Sequence, residues 1–258
     1  MLKSTDYELK LLVDPDRTLD AGGEPTADMR TAFAIDEHKT IVMQFLDSAR
    51  RDLDDAQWNV RFRAFDDEDD LELTYKKRYP ITNDDIDAAL AHAAVDGFNA
   101  DTDEYEAQVE WGMSRKTLSI SKKAKPDSDG SDPLDLPGER KSRELCAESI
   151  PARLEQQVSQ GWLHDVLDVA HLYGPVRGKR WKGSWKGSVG GKKKVSIEVW
   201  PIRGKPGQKG QRVVEVSVKE DDRATAQTIQ AELRAFLAEK GWLLDREILK
   251  TQLILKRY

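Results

Sequence analysis

The sequence has few of the features that mark secreted or membrane proteins. It contains one cysteine, Cys146, so no internal disulfide can form and a reducing compartment is expected. No apolar run approaches the roughly 20 residues that a membrane helix needs. Residues 1–6 carry no apolar core of a secretory signal. We therefore expect a cytoplasmic protein that does not partner with a membrane.

Lys and Arg are outnumbered by acidic residues over the whole chain. The 258 residues hold 41 Lys or Arg against 47 Asp or Glu, which gives a net charge of −6 and argues against a nucleic-acid partner. The exception is a basic segment at residues 177–209, which holds 11 Lys or Arg and one acid, Glu198. Its first part, residues 177–194, is predicted to form a basic hairpin. The four histidines show no spacing typical of metal ligands.

Short segments alternate polar and apolar residues with the period of two that is typical of half-buried strands. They lie at residues 6–11, 40–47, 58–63, 71–76, 104–111, 115–121, 195–200 and 212–219. Helices are predicted from Thr82 or Asn83 to Ala94, across residues 139–171 with a break near Pro151, and over residues 225–240 before Gly241. Residues 125–138, rich in Asp, Ser, Pro and Gly, are predicted to form a flexible insertion.

The charged faces of these strands pose a packing problem. A strand with one charged face usually turns that face to water. The amphipathic helices, however, also need an apolar surface to cover. If they cover the apolar strand faces from outside, the charged faces must point inward. This indicates an α+β fold in which one domain, residues 1–258, forms a closed antiparallel β-barrel with a charged interior and helices outside.

The first strand carries residues suited to a metal-complexed phosphate. Asp6, Glu8 and Lys10 share one face, with successive members about 6–7 Å apart. Two carboxylates at this spacing can grip a divalent cation while the ammonium meets an anion. Mg²⁺ prefers oxygen ligands and is usually held by one or two carboxylates plus substrate phosphates.

Later strands repeat this chemistry. Arg61 and Arg63 share a face, as a clamp on phosphate oxygens requires. Lys76 ends the segment ELTYK, and Glu215 begins the segment EVSVK, so both repeat an acid-to-lysine spacing. A polar interior with these residues predicts a polar, anionic ligand.

The segment DYELK at residues 6–10 resembles the E-x-E-x-K signature that opens proteins of the CYTH superfamily, the triphosphate tunnel metalloenzymes. The order of later segments is also similar to that family. The matching positions are Gln44 and Asp47 on the second strand, the R-x-R strand at 61–63, the L-T-x-K strand at 73–76, acidic strands at 106–111 and 214–217, and a late lysine, Lys250. The resemblance covers residues 6 to about 250. Three positions depart from it: Asp6 replaces a Glu, while Ser217 and Trp200 stand where acids are common.

The resemblance implies an eight-stranded tunnel that binds a small-molecule triphosphate with Mg²⁺ or Mn²⁺. Members include inorganic, thiamine and RNA triphosphatases and class IV adenylate cyclases. On this basis we expect metal-dependent hydrolysis of a triphosphate. The expected metal ligands are Asp6, Glu8 and Glu215; the expected substrate contacts are Lys10, Arg61, Arg63, Lys76, Arg115 and Lys250; and Glu8, Lys10 and Lys76 are the expected catalytic residues.

Two alternatives stay open at this point. A cyclase would use the same cage to convert ATP to cyclic AMP. A non-catalytic module that binds polyphosphate or RNA ends would use the hairpin at 177–194 as a landing surface, with Trp181 and Trp185 stacking on bases. The sequence does not decide which triphosphate or metal is preferred. It also leaves the oligomeric state open, a homodimer included.

Overall fold

The structure of the protein is a computed structural model that describes residues 5–68, 70–98, 105–127, 132–157, 159, 161–189 and 191–258. The described residues form nine strands. These are β1 (Thr5–Val13), β2 (His38–Ser48), β3 (Trp58–Phe65), β4 (Glu72–Ile81), β5 (Glu106–Trp111), β6 (Lys116–Ala124), β7 (Ala170–Lys186), β8 (Lys192–Ile202) and β9 (Gln211–Glu220).

Helices connect and cover these strands. They are α1 (Pro15–Thr18), α2 (Ala27–Phe33), α3 (Asp52–Asp55), α4 (Ile86–Val95), α5 (Glu139–Glu148), α6 (Ala152–Gln157), α7 (Trp162–Asp168), α8 (Arg223–Glu239) and α9 (Lys250–Arg257). Over the described part of the chain, none of these helices is both long and apolar enough to cross a membrane.

The strands close into a barrel in the order β1-β5-β6-β4-β3-β2-β7-β8-β9, as the charge pattern predicts. The structure corrects the predicted barrel in two details. The barrel has nine strands, not eight, because a 17-residue strand, β7, runs through the region predicted as a helix end and a basic hairpin. It is also not wholly antiparallel, since β1 pairs with β5 in parallel and with β9 antiparallel. Glycines at 174, 178 and 183 and Pro175 interrupt the alternation of β7 and hide it from a pattern search.

Each of the eight predicted strand segments overlaps an observed strand, although residues 71, 105 and 115 fall just outside the strands and β4 continues five residues past the predicted end. Residue 104 lies outside the described residues. The predicted helix starts at 82–83 were wrong. Asp85 is the N-cap of α4 and accepts a hydrogen bond from the Ala88 amide at 2.9 Å, while Asn83 and Asp84 have positive φ angles typical of a turn. The region 139–171 divides into α5, α6 and α7, and β7 begins at Ala170. Helix α8 ends before Gly241, whose φ of 66° fits a glycine stop.

The apolar faces of the strands point outward and pack under helices. Tyr7, Leu9 and Leu11 of β1 belong to the main buried cluster together with Ile229 and Leu233 of α8. A second cluster lies at one end of the barrel, where Ile254 and Leu255 of α9 pack with apolar side chains of β1, β2, β7, β8 and β9. Helix α9 therefore covers this end, which we call the covered end. The residues of 125–138 that are described form neither helix nor strand, and residues 128–131 lie outside the described part.

The repeated segment WKGS at 181–188 is a packing motif of β7. Trp181 is 0% exposed and Trp185 is 7% exposed, and the Trp185 ring lies 6.0 Å from Phe236 of α8. Both indoles lie in the buried core on the outside of the barrel, so they are not placed to stack on bases as the alternative of a non-catalytic module required. Each tryptophan is followed two residues later by a glycine that another element approaches closely: the chain before β2 approaches Gly183, and Glu232 approaches Gly187.

We predict that Gly183→Ala destabilises the protein. A Cβ at this position would overlap the Ile35 side chain and the Phe33 carbonyl, so the change should lower the free energy of unfolding by about 1–3 kcal/mol. Gly138→Ala is the control, because a Cβ there meets nothing within 4 Å. Gly138 is the N-cap of α5, where alanine caps less well than glycine, so the loss should stay below about 1 kcal/mol. Urea denaturation of both variants measures the difference. Equal stabilities would show that β7 is not packed as described.

Candidate functional site

The barrel encloses a cavity of about 900 Å³ with a charged wall. Among the described residues, twelve cationic and eight acidic side chains line it. The cations are Lys10, Arg61, Arg63, Lys76, Arg78, Arg115, Lys123, Arg180, Lys182, Lys194, Lys219 and Lys250, and the acids are Asp6, Glu8, Asp36, Glu106, Glu110, Glu198, Glu215 and Glu247. Cations thus prevail inside a chain whose net charge is −6. A concave site with this surplus concentrates anions.

Glu110 of β5 is the centre of one charge network. Its Oε1 lies 2.7 Å from Lys76 Nζ, and its Oε2 lies 3.7 Å from Lys10 Nζ. Lys10 also lies 2.8 Å from Glu8 Oε2. Burial alone would raise the pKa of Glu110, but Lys10, Lys76 and Arg78 hold that pKa well below its usual range. Glu110 therefore stays ionised and fixes two lysines from neighbouring parts of the barrel.

Glu198 of β8 is the centre of a second network near the covered end. It accepts from Arg180 Nε at 2.9 Å, from Lys250 Nζ at 2.6 Å and from Trp200 Nε1 at 2.9 Å. Lys250 also lies 3.0 Å from Glu215 Oε1. Burial alone would raise the pKa of Glu198, but the charges of Lys250 and Arg180 lower that pKa well below its usual value. The first residue of α9 is thereby tied to β8 and β9.

The two arginines of β3 share one carboxylate. Glu72 of β4 lies 3.2 Å from Arg61 Nη2 and 2.7 Å from Arg63 Nη2. Burial would raise the pKa of Glu72, but the two guanidinium groups bring it down to about 2. Burial and the charge of Arg63 lower the pKa of Arg61 to about 10. Within the described residues, the Nε atoms of Arg61, Arg63 and Arg78 are buried without a hydrogen-bond partner.

The surroundings of Lys76 lower the pKa of its ammonium group. Burial lowers its pKa, Glu110 raises it in part, and the nearby charges of Lys10, Arg78 and Arg61 lower it further, to about 8. By contrast, Glu110 and Glu8 raise the pKa of Lys10 against the effect of burial. One of the two lysines that share Glu110 thus titrates close to neutral pH.

The expected metal ligands all line the cavity but do not form a preformed site. Asp6 is exposed and makes no hydrogen bond or ion pair with the described residues. Glu8 faces Lys10, and Glu215 faces Lys250. No three His, Cys, Asp or Glu side chains converge on a metal position in the described ranges. The donor set is nevertheless made of carboxylates alone, which suits a hard cation that also takes ligands from a substrate.

Every expected substrate contact also lines the cavity, and the individual roles stay predictions. Arg115 is exposed on the turn between β5 and β6, where its amide donates to Glu247 Oε1 at 3.2 Å. Two positions of the family resemblance lie elsewhere. Gln44 donates to the Pro137 carbonyl at 2.7 Å, and Asp47 accepts from the Leu53 amide at 2.9 Å at the start of α3.

Among the charged wall residues missing from the expected site, four belong to or border the ion-pair networks described above: Arg78, Glu110, Arg180 and Glu198. Glu110 lies on the polar face of β5 together with Glu106 and Gln108, so the period-two alternation of this strand could have identified it as a wall residue. Arg78 continues the face of Lys76 by one further step of two. Arg180 belongs to the strand that the sequence pattern did not show, and Glu198 follows the same alternation as its neighbours on β8.

Comparison with known proteins supports the fold. No protein-family model matches the sequence, and no curated protein matches it significantly. A provisionally assigned adenylyl cyclase from Hippeastrum, described as having a dominant triphosphatase activity, aligns with a TM-score of 0.55 at 14% identity over 96% of this chain and 94% of that one. A provisionally assigned adenylate cyclase from Bacillus halodurans aligns at 11% identity over 98% of both chains, with a TM-score of 0.49. The chain therefore has the fold that its resemblance to the CYTH superfamily implies.

We predict that Glu198→Gln destabilises the barrel. The change leaves Arg180 and Lys250 with an uncharged partner in a buried network, so the free energy of unfolding should fall by about 3 kcal/mol. Glu106→Gln is the matched control, since Glu106 is 66% exposed and pairs with Lys123 alone among the described residues. Its loss should be below about 1 kcal/mol. The free energy of unfolding of both variants is measured by denaturation. Equal losses in the two variants would contradict the central role of Glu198 in the buried network.

Proposed function

We propose that the protein hydrolyses a triphosphate inside the barrel with the help of a divalent cation. The observation that carries this proposal is the cationic wall of the cavity, where twelve Lys or Arg side chains face eight acids among the described residues. The side chains of Arg61 and Arg63 stay 20% and 16% exposed beside Glu72, so they remain open to a ligand in the cavity. Phosphate oxygens would pair with these arginines, because the planar guanidinium group matches such oxygens in geometry.

The carboxylates of the wall fit a cation that binds together with the substrate. Glu8 and Asp6 lie two residues apart on one strand face, whereas Glu215 of β9 pairs with Leu12, about 13 Å farther along β1 than Glu8, so Glu215 would belong to a second cation. Mg²⁺ or Mn²⁺ would take one or two of these groups plus phosphate oxygens. When bound, such a cation polarises the phosphoryl group and lowers the pKa of water.

The cationic side chains would bind the substrate, stabilise the developing charge and supply a proton. Arg61, Arg63 and Lys10 would hold the phosphoryl oxygens and stabilise the charge that develops during transfer. Lys76, with a pKa near 8, is suited to give a proton from Nζ to the departing phosphate oxygen. The products would be phosphate and the shortened phosphate chain, since water adds to phosphorus and the anhydride bond breaks.

The low aromatic content of the described cavity wall favours hydrolysis over cyclisation. A cyclase must also bind a base and direct a ribose hydroxyl at the α-phosphorus. Phe45 is the one aromatic residue among the described residues of the cavity wall, and it lies in the apolar cluster at the covered end. The dominant triphosphatase activity described for the structural neighbour from Hippeastrum points the same way.

We predict that Glu8→Gln abolishes metal-dependent phosphate release. The change removes a carboxylate from the wall beside Lys10 and keeps the shape of the side chain. Phosphate release is measured from inorganic triphosphate, ATP and thiamine triphosphate, each with Mg²⁺ and with Mn²⁺. Glu144→Gln, at an exposed position on α5, should leave turnover unchanged.

Full activity of Glu8→Gln would refute the assigned site. Formation of cyclic AMP and pyrophosphate from ATP would show that the enzyme is a cyclase and not a hydrolase. Tight binding of triphosphate without turnover under any divalent ion would favour the non-catalytic module.

The low pKa of Lys76 predicts a pH dependence of triphosphate binding. Lys76 is charged below about pH 8 and becomes neutral above it, so affinity should fall as the pH rises through this value. Lys76→Arg keeps the charge throughout and should remove this part of the profile, while the titration of the ligand itself is common to both proteins. Titration calorimetry with inorganic triphosphate around pH 8 provides the measurement. Identical profiles for the two proteins would show that Lys76 does not titrate there.

A further inference from the structure

Two carboxylates face each other near the covered end of the cavity. Glu198 of β8 and Glu215 of β9 are direct partners in the strand register, and both side chains are buried. Like charges directly opposite each other on neighbouring strands destabilise a sheet. This pair therefore needs a cation between its members, and either a divalent ion or an ammonium group can supply the charge.

The ammonium group of Lys250 lies between the two carboxylates. Lys250 Nζ is 2.6 Å from Glu198 Oε2 and 3.0 Å from Glu215 Oε1. Burial alone would lower the pKa of Lys250, but the charges of Glu198 and Glu215 raise it, so the group is charged at neutral pH. The ammonium thus bridges one oxygen of each carboxylate, as a divalent ion shared by the two residues would.

Arg180 completes the charge balance of this cluster. It is the register partner of Glu198 on β7, and its Nε donates to Glu198 Oε1 at 2.9 Å. Trp200 Nε1 donates to the other oxygen, Oε2, at 2.9 Å. Two carboxylates thus meet two cations, and the cluster keeps no net negative charge that would attract a divalent ion. A metal ion would also have to displace donors from both oxygens of Glu198.

The neighbourhood of the cluster suits an ammonium group better than a metal ion. Leu12 is the register partner of Glu215 on β1, so β1 offers no carboxylate at this level. Leu12 and Phe45 line the cavity and belong to the apolar cluster under α9. Mg²⁺ gives up water reluctantly and usually keeps several water ligands. The ammonium group of Lys250 has three donors, and the two carboxylates already accept from two of them.

The position of Lys250 is fixed by the packing of its helix. Lys250 is the first residue of α9, whose Ile254 and Leu255 are 0% and 3% exposed. The Thr251 hydroxyl of the same helix accepts from Arg78 Nη2 at 3.3 Å. A metal ion at this place would have to push the Lys250 side chain off both carboxylates or move α9 out of its apolar seat.

We propose that the ammonium group of Lys250 takes the place of a second divalent cation, so that the barrel works with one metal ion per chain. This inference rests on the proposed function of the same cavity. The one metal ion would lie beside Asp6 and Glu8, about 13 Å along β1 from the row of Glu215. The third donor of Lys250 is left to bind a phosphate oxygen of the substrate.

The experiment counts the Mn²⁺ ions bound per chain from the electron paramagnetic resonance signal of free Mn²⁺, with the metal alone as the probe. Lys250→Met removes the charge and keeps the length of the side chain. Lys250→Arg keeps the charge, and Lys256→Met removes the same charge from an exposed position of α9 outside the cavity lining. We expect Lys250→Met to bind one more Mn²⁺ than the unchanged protein, and the two controls to bind the same number as the unchanged protein.

A double variant locates the additional ion. Lys250→Met/Glu215→Gln should not gain it, because one of the two carboxylates is removed. Thermal unfolding provides a second readout that does not depend on activity. Mn²⁺ should raise the Tm of Lys250→Met more than that of Lys256→Met, since an ion that binds only the folded protein stabilises it.

Three results would overturn the inference. Lys250→Met that gains no Mn²⁺ would show that the ammonium does not stand in for a metal ion. A gain that persists in the double variant would place the additional ion elsewhere. Glu215→Gln alone, if it binds one Mn²⁺ fewer than the unchanged protein, would show that Glu215 already holds a divalent cation.

The count for Glu215→Gln alone also decides the question if Lys250→Met does not fold. An unchanged number of bound Mn²⁺ in that variant supports the inference. A failure of the proposed function is recognised separately. The unchanged protein would then release no phosphate from any triphosphate with Mg²⁺ or Mn²⁺, whatever the number of Mn²⁺ ions that the Lys250 variants bind.

Discussion

The structure depends on the pairing of buried carboxylates with cations inside the barrel. Glu110 is shared by Lys76 and Lys10, and Glu198 is shared by Arg180 and Lys250. An isolated charge in such a place would cost several kcal/mol, whereas a pair with good geometry and further hydrogen bonds recovers much of that cost. These pairs also join strands that are far apart in the sequence. They allow the apolar faces of the strands to pack outward under the helices.

This pairing does not neutralise the wall. Cations remain in surplus over carboxylates among the described residues of the cavity wall. The barrel thus folds around its own charges and keeps an excess of positive charge inside. An anion with several oxygens, bound together with a divalent cation, would offset that excess. The proposed hydrolysis rests on this excess and on the pKa of Lys76, which is lowered to about 8.

The sequence predicted the barrel because its charged and apolar residues alternate strictly on most strands. Glu8 and Lys10 on one face of β1, opposite buried Leu9, show the pattern at its clearest. It could not show β7, where glycines and Pro175 break the alternation, and Arg180 was missed with that strand. The pairing of Glu110 with Lys76, from strands that are not neighbours, depends on barrel closure and carries no local signal. The hydrophobic role of Trp181 likewise depends on which face of β7 the other elements cover.

A crystal structure with inorganic triphosphate and Mn²⁺ tests the central claim most directly. We expect triphosphate density inside the barrel with oxygens within hydrogen-bond distance of the guanidinium groups of Arg61 and Arg63. We also expect an anomalous Mn²⁺ peak next to Glu8. Triphosphate found only outside the barrel, or inside it without contact to either arginine, would contradict the proposed site.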